Sequence, residues 1–415
     1  MRKVLYILPL IALVLCLALV LVMTGVWNFP EPTEPTASFT GSTAGSLNTA
    51  QPSFSTAAST LTTPTDESWI PLDMFCISLP KMTDSIMSED GVTLFRHTYQ
   101  DVVISSPNTQ INEAITLDLL QRMDVNSDIA YQISSLSQYY TPGTAWTPLF
   151  YEILYTPTRI DNAVLSLHAI ESTCSGSAEI TRNETCVNYH MATGTVLTLE
   201  QVLSEESSAR DALLQALLKE LDSQSQALGL FSDYKDTVTR YFQSYLQQEN
   251  NWYFAGDGLR ICFAPYEIAP SSYGTITVSI PYSALNGIVR IDMLPAPRQA
   301  VSLSADIVNF ADADLDKYSH FAECILDTEA VPVLITTDKI LYDVRLELLT
   351  QADGNTESTV TVFGAGSLCS DDALLLQYTP SDEQQLILHC TAGGKKHSFS
   401  IISGESGDFR LSPIT

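Results

Sequence analysis

Apolar residues recur with two different periods along this chain, and the switches between them outline its elements. The runs MFCISLP (residues 74–80) and GVTLFRHTYQDVVISS (residues 91–106) alternate and are rich in β-branched side chains, which predicts strands. After Pro107-Asn108 the period changes. Ile111, Ile115, Leu119 and Met123 recur every fourth residue, and Ile129, Ile133, Leu136 and Tyr140 continue the stripe after a break, so a helical region is predicted. PLFYEILYTPT (148–158) and AVLSLHAI (163–170) return to strand character, and CVNYHMATG (186–194) runs into a turn at Thr193-Gly194. Thr198 and Gln201 have the spacing of a capping box. A helix over about 207–228 carries Leu213, Leu214, Leu217, Leu218 and Leu221, and another carries Tyr234, Val238, Tyr241, Phe242 and Tyr245.

Beyond the LPAP of residues 294–297 the pattern shortens. VPVLITT, ILYDVRLELLT, STVTVFGAG, ALLLQYT, QLILHC and HSFSIIS alternate between Gly, Asp and Asn punctuation, which predicts a mostly β domain of sandwich or small-barrel type. DLDKYSHFAECIL (314–326) is expected to be a helical exception. The fold class expected is therefore an α+β module, an antiparallel sheet with helices, followed by a mostly β C-terminal domain.

The N-terminus has no such periodicity. Arg2 and Lys3 precede an uncharged apolar run, residues 4–27, which exceeds the roughly 20 residues needed to span a bilayer. It is read as a single transmembrane anchor, with residues 1–3 a cytoplasmic stub and the remainder outside. A cleaved signal peptide is the alternative, although the run is long for one. Residues 28–67 are about half Ser, Thr and Pro and contain no Lys or Arg. They are expected to form a disordered stalk, followed by a folded module over 68–295 and the β domain over 296–415.

The 415 residues carry a net charge of −28, from 48 acidic and 20 basic side chains. Such a field repels nucleic acid and suits a basic partner. Of the 8 cysteines, Cys16 lies in the apolar run. The others follow it, where disulfides persist. Cys174 and Cys186 flank a short polar stretch and are candidates for a bridge, as are Cys369 and Cys390; buried free thiols are the other reading. No C-x-x-C occurs, so no zinc site of that kind is expected.

Catalytic motifs do not emerge. The six histidines form no HExxH, and there is no G-x-S-x-G elbow, P-loop or G-x-G-x-x-G. Asp312, Asp314 and Asp316 alternate as calcium ligands do, but without the glycine and terminal glutamate of an EF-hand loop they read as a solvated face. No metal and no cofactor is expected. The most distinctive chemistry is the link APYEIAPSSY between two alternating runs. Pro265 and Pro270 remove N–H donors and stiffen it, and Gly274 supplies a turn. Pro265, Tyr266, Pro270 and Tyr273 are the candidate ligand contacts, because tyrosines on a rigid loop bury area at small entropic cost; packing of the tyrosines beneath the loop is the alternative.

Four segments in order carry a family resemblance: the strand ending at Leu79-Pro80, INEAI from Ile111 to Ile115, NYHMATGTVLTLEQVL from Asn188 to Leu203, and FAGDGLRICFAPYEIAPSSYGTITVSIPYSAL from Phe254 to Leu285. Over about residues 68–292 the chain resembles the extracytoplasmic module of RsiV-type anti-sigma factors. That module also occurs in anchored or secreted Gram-positive proteins and beside a peptidoglycan deacetylase domain. The resemblance implies an α+β module outside the membrane, and in the best-known relatives it binds lysozyme. Only three residues precede the apolar run, so no anti-sigma segment is expected, and no deacetylase signature is present. The tail from Thr336 onward resembles a small β domain appended to similar Clostridia-type proteins. The function expected is non-catalytic: an anchored binding protein of a Gram-positive cell envelope, taking a basic protein such as lysozyme or a peptidoglycan component. A structural or assembly role, or a wall-glycan hydrolase using paired carboxylates, are the alternatives.

Overall fold

Strand-period sequence dominates the structure, a computed structural model that describes residues 75–414 apart from 107, 177–179, 297, 299–301, 353–355, 382 and 404–408. The apolar run 4–27 and the Ser/Thr/Pro-rich stretch 28–67 lie outside the described residues. Within the described residues, the chain is mostly β, with largely antiparallel sheets and three α-helices. No helix among them is long and apolar enough to cross a membrane.

Three hydrophobic cores organise the elements. In the first, strands β2 (Lys81–Met87), β3 (Thr93–Gln100), β5 (Leu149–Ile160), β6 (Val164–Cys174) and β7 (Thr181–His190) form a sheet in the order β2-β3-β5-β6-β7. Helix α1 (Thr109–Ser134) packs across it. Asn108 caps α1, its side chain accepting the N–H groups of Gln110 and Ile111. The predicted stripe of Ile111, Ile115 and Leu119 is buried against Tyr151, Ile153, Tyr155, Val187 and Tyr189. The anticipated break does not occur, and α1 runs unbroken to Ser134 before tightening into a 3₁₀ turn over Ser135–Tyr139.

The second core lies under α2 (Ala209–Gln224), α3 (Tyr234–Gln247) and a small sheet of β8 (Trp252–Phe254), β9 (Gly258–Phe263) and β10 (Ile276–Pro281). Leu213, Leu217 and Leu221 of α2 are fully buried there, as are Trp252 and Phe254. Only half of the capping box ahead of α2 forms. The Gln201 side chain accepts the Thr198 N–H at 2.8 Å, but the segment it closes is a single 3₁₀ turn, Glu200–Val202. Gly258 faces Pro281 across the β9–β10 pair, where a Cβ would sit 2.2 Å from the carbonyl oxygen of Ile280. A backbone oxygen cannot rotate aside as a side chain can, so Gly258→Ala is expected to cost about 3 kcal/mol by overpacking. Urea denaturation of the two proteins side by side tests this, and equal midpoints would refute it.

The third core joins a seven-stranded sheet to a four-stranded one. The larger has the order β19-β18-β17-β14-β15-β1-β4, and the smaller β11-β13-β16-β12. Their strands are β1 (Cys76–Ser78), β4 (Val103–Ser105), β11 (Asp306–Asn309), β12 (His320–Ile325), β13 (Val333–Thr336), β14 (Leu341–Ala352), β15 (Thr356–Leu368), β16 (Asp372–Gln377), β17 (Gln384–Ala392), β18 (Lys395–Ser403) and β19 (Phe409–Pro413). The larger sheet therefore draws strands from both sides of residue 295. The expected helix over 314–326 is corrected. Leu315–Lys317 is one 3₁₀ turn and His320–Ile325 is β12, parallel to β16. Ala322 and Cys324 are buried while Phe321 and Glu323 are exposed, a period of two that decides for strand.

Both proposed disulfide pairings are corrected by register. Thr173 faces Thr181 and His168 faces Cys186 across β6 and β7. Cys186 is thus displaced from Cys174 by roughly 20 Å along the strands at about 3.3 Å per residue, far beyond the ~7 Å reach of a disulfide between Cα atoms. Cys369 follows β15 and Cys390 lies in β17, on opposite sides of β14. Two inter-strand spacings of about 4.8 Å hold them apart.

Candidate functional site

The link between β9 and β10 stands out because its backbone is pinned while its aromatic side chains stay exposed. The antiparallel pairing closes at Phe263 opposite Ile276, leaving residues 264–275 as the connection. Ile268 and Ala269 plunge into the second core, at 0 % and 1 % exposure. The Ile268 carbonyl accepts the N–H of Phe231 at 2.9 Å, tying the link to the α2–α3 connection. Glu267 acts as an internal brace. One carboxylate oxygen accepts the Ala264 N–H at 2.8 Å and the other accepts the Tyr245 hydroxyl of α3 at 2.5 Å. Burial, and then this carboxylate, push the Tyr245 phenol up from its ordinary value, so it remains a donor at any physiological pH.

Of the four predicted contact residues, Pro265 and Pro270 are half-buried on this frame, while Tyr266 is 72 % and Tyr273 49 % exposed. Tyr266 therefore stays largely open to solvent, while Tyr273 is partly covered. Tyr266 has φ +70°, one of two non-glycine residues with positive φ among those described. The left-handed region costs a residue with a Cβ about 1–2 kcal/mol, and here the strained residue is also the most exposed of the four. Its ring meets Phe231 edge-to-face at 5.6 Å. Tyr273 lies across Gly229, where a Cβ would fall 2.5 Å from its ring. Sequence reasoning missed Phe231 and Gly229. The LGLF run holding them was visible, but nothing in it signalled that it would support a loop some forty residues onward.

A recess lies between α1 and the five-stranded sheet, with a volume of about 250 Å³ and walls that include Arg122, Asn126, Ile153, Tyr155 and Val187. Its polar groups are occupied by one another. Arg122 pairs with Asp118 at 2.7 Å, Asp118 accepts the Tyr189 hydroxyl at 2.7 Å, and Asn126 bonds both Tyr151 and Tyr155 at 3.3 Å. Such a closed network specifies packing rather than inviting a ligand. Among the described residues no group of three or more His, Cys, Asp or Glu side chains converges as metal ligands would.

Residues 200–283 match a family described as a protein of unknown function, DUF3298. This DUF3298 segment contains α2, α3, the three-stranded sheet and the whole aromatic link. Two solved structures of that family are similar at low level. One is a DUF3298 family protein from Pseudomonas aeruginosa PAO1, 16 % identical, covering 55 % of this chain and 99 % of that one, with a TM-score of 0.36. The other, from Bacteroides fragilis NCTC 9343, is 14 % identical, covers 52 % of this chain and 94 % of that one, and has a TM-score of 0.37. No curated protein matches the chain.

Proposed function

We propose that this chain is a non-catalytic binding protein of a Gram-positive cell envelope, held by residues 4–27, whose β9–β10 link contacts a basic protein or a wall component. The observation that supports it is Tyr266: an exposed aromatic in a strained backbone, braced by Glu267 and buried neighbours that are themselves well packed. Strain that the surroundings over-determine clusters at contact sites, and tyrosine is a favoured interface anchor. The charge of −28 favours a basic partner by steering it to encounter. The resemblance of residues 68–292 to RsiV-type modules makes lysozyme the first partner to try.

The test separates binding from folding. Residues 68–415 are immobilised and challenged with a basic lysozyme and with insoluble peptidoglycan, at low and moderate salt. Retention that weakens with salt is expected. Tyr266→Gly removes the ring but suits φ +70°, so its stability should stay within about 1 kcal/mol of the parent. Its binding should fall by about 30-fold, as for an interface hot spot. No retention of either ligand in either buffer would remove this reading, as would a Tyr266→Gly protein that binds like the parent.

A further inference from the structure

A pair of cysteines that neither the sequence spacing nor the family match points to lies between β7 and β9. Cys186 and Cys262, 2 % and 7 % exposed, share one small buried cluster with Tyr253 and Ala255. Their backbones hang from neighbouring carbonyls: the Cys186 N–H donates to Asn250 at 3.2 Å, and the Cys262 N–H donates to Asn251 at 2.7 Å. The consecutive peptide carbonyls before β8 thus hold the two residues side by side, with both side chains in the same small buried cluster. Thr277 Oγ1 lies 3.5 Å from Cys262 Sγ and 3.3 Å from Glu184. Glu184 pairs with His168 at 2.9 Å, and the His168 ring stacks on Tyr253 with centroids 4.8 Å apart.

We infer that Cys186 and Cys262 form a disulfide that staples the DUF3298 segment, through β9, to the edge strand β7 of the preceding sheet. The step is thiol–disulfide exchange with a small or protein disulfide. One thiolate attacks a sulfur of that disulfide and expels a thiolate. The second cysteine then displaces the partner sulfur from the mixed disulfide. The protein loses two protons and two electrons, and the partner takes up both and leaves as two thiols. The other close pair differs. Cys76 and Cys324 sit near each other in the third core, but each thiol is directed to a backbone carbonyl, Ser105 at 3.6 Å and Val362 at 4.0 Å.

Contact with Cys262 and burial raise the Cys186 thiol far above its ordinary value. The folded dithiol is therefore a poor nucleophile, and the bridge should close as the chain folds rather than afterwards. The full chain is unfolded with its thiols reduced, refolded in a glutathione redox buffer, quenched with acid, unfolded again and alkylated. Cys186 and Cys262 should escape alkylation, and their peptides should appear joined, about 2 Da lighter than the sum. The oxidised protein should melt about 5 °C above the reduced one. That difference should vanish in the Cys186→Ala/Cys262→Ala variant and persist in Cys76→Ala. Full alkylation of both cysteines, or a bridge from either to another cysteine, overturns the assignment.

Discussion

Arg159→Ala should lower the unfolding free energy by about 3–5 kcal/mol, the range for removing one partner of a buried ion pair. Arg159 is 6 % exposed near the end of β5, yet it reaches four separate parts of the chain. Its Nε meets Asp161 at 2.6 Å, and one terminal nitrogen donates to the Met293 carbonyl at 2.8 Å. The guanidinium lies 4.8 Å from the Phe254 ring centroid and 5.7 Å from that of Tyr282. Asp161 in turn accepts the N–H groups of Ala163 and Val164, each at 2.9 Å, shaping the β5–β6 turn. Alanine would leave the carboxylate without its cation, the Met293 carbonyl without its donor, and a cavity against two aromatic rings. Lysine keeps the charge but not the planar fork, so Arg159→Lys should recover only part of the loss. Urea denaturation of the three proteins measures the series. An alanine variant within 1 kcal/mol of the parent would show that Arg159 is a bystander.

The ion pair also marks a limit of what sequence patterning reveals. Residues 159 and 161 are near neighbours and could have been paired on paper, but Phe254, Tyr282 and Met293 join them only through the packing of β8 and the segment after β10. Period alone identified the faces of α1, α2 and α3, because a helix buries one stripe whatever it packs against, although Tyr241, placed on the α3 stripe, is exposed. The β9–β10 pair was legible for the same local reason, and so were the proline-stiffened link and its two tyrosines. Local period did not reveal where strands would go. MFCISLP was read as the opening of the first module, yet β1 pairs with Phe363, Gly364 and Ala365 in a sheet formed mostly from residues beyond 340. The segment around Phe321 failed differently. Its charged and aromatic residues allowed either period, and only parallel pairing with β16 selected the strand. Cysteine spacing misled because proximity in sequence says little about register: Cys186 meets Cys262, not Cys174.

Trp252→Ala should be about as costly, roughly 3–5 kcal/mol for an aromatic deleted from a core. Trp252 opens β8 and is completely buried. Its ring stands edge-to-face on Phe254 at 5.5 Å, and its indole N–H donates to the Gln248 carbonyl at 3.2 Å, closing the end of α3 against the sheet. Its own carbonyl accepts the side-chain amide of Asn188 at 2.7 Å, and that amide's oxygen accepts the Ser166 hydroxyl at 2.7 Å. Trp252 therefore occupies the seam between the DUF3298 segment and strands β6 and β7. Alanine removes the ring but leaves the carbonyl in place. The loss should therefore come from the cavity and the unpaired Gln248 carbonyl, while the Asn188–Ser166 pair survives. Phenylalanine refills most of the volume and should recover more than half. A parallel measurement checks the mechanism: Asn188→Ala leaves the ring but takes the acceptor from the buried Ser166 hydroxyl and the donor from the Trp252 carbonyl, and should cost about 1–3 kcal/mol. The ring and the amide brace one residue of β8 through different contacts, so the double variant should fall short of their sum. Strict additivity would mean that the ring and the amide stabilise separate parts of the fold, and that Trp252 does not hold the seam.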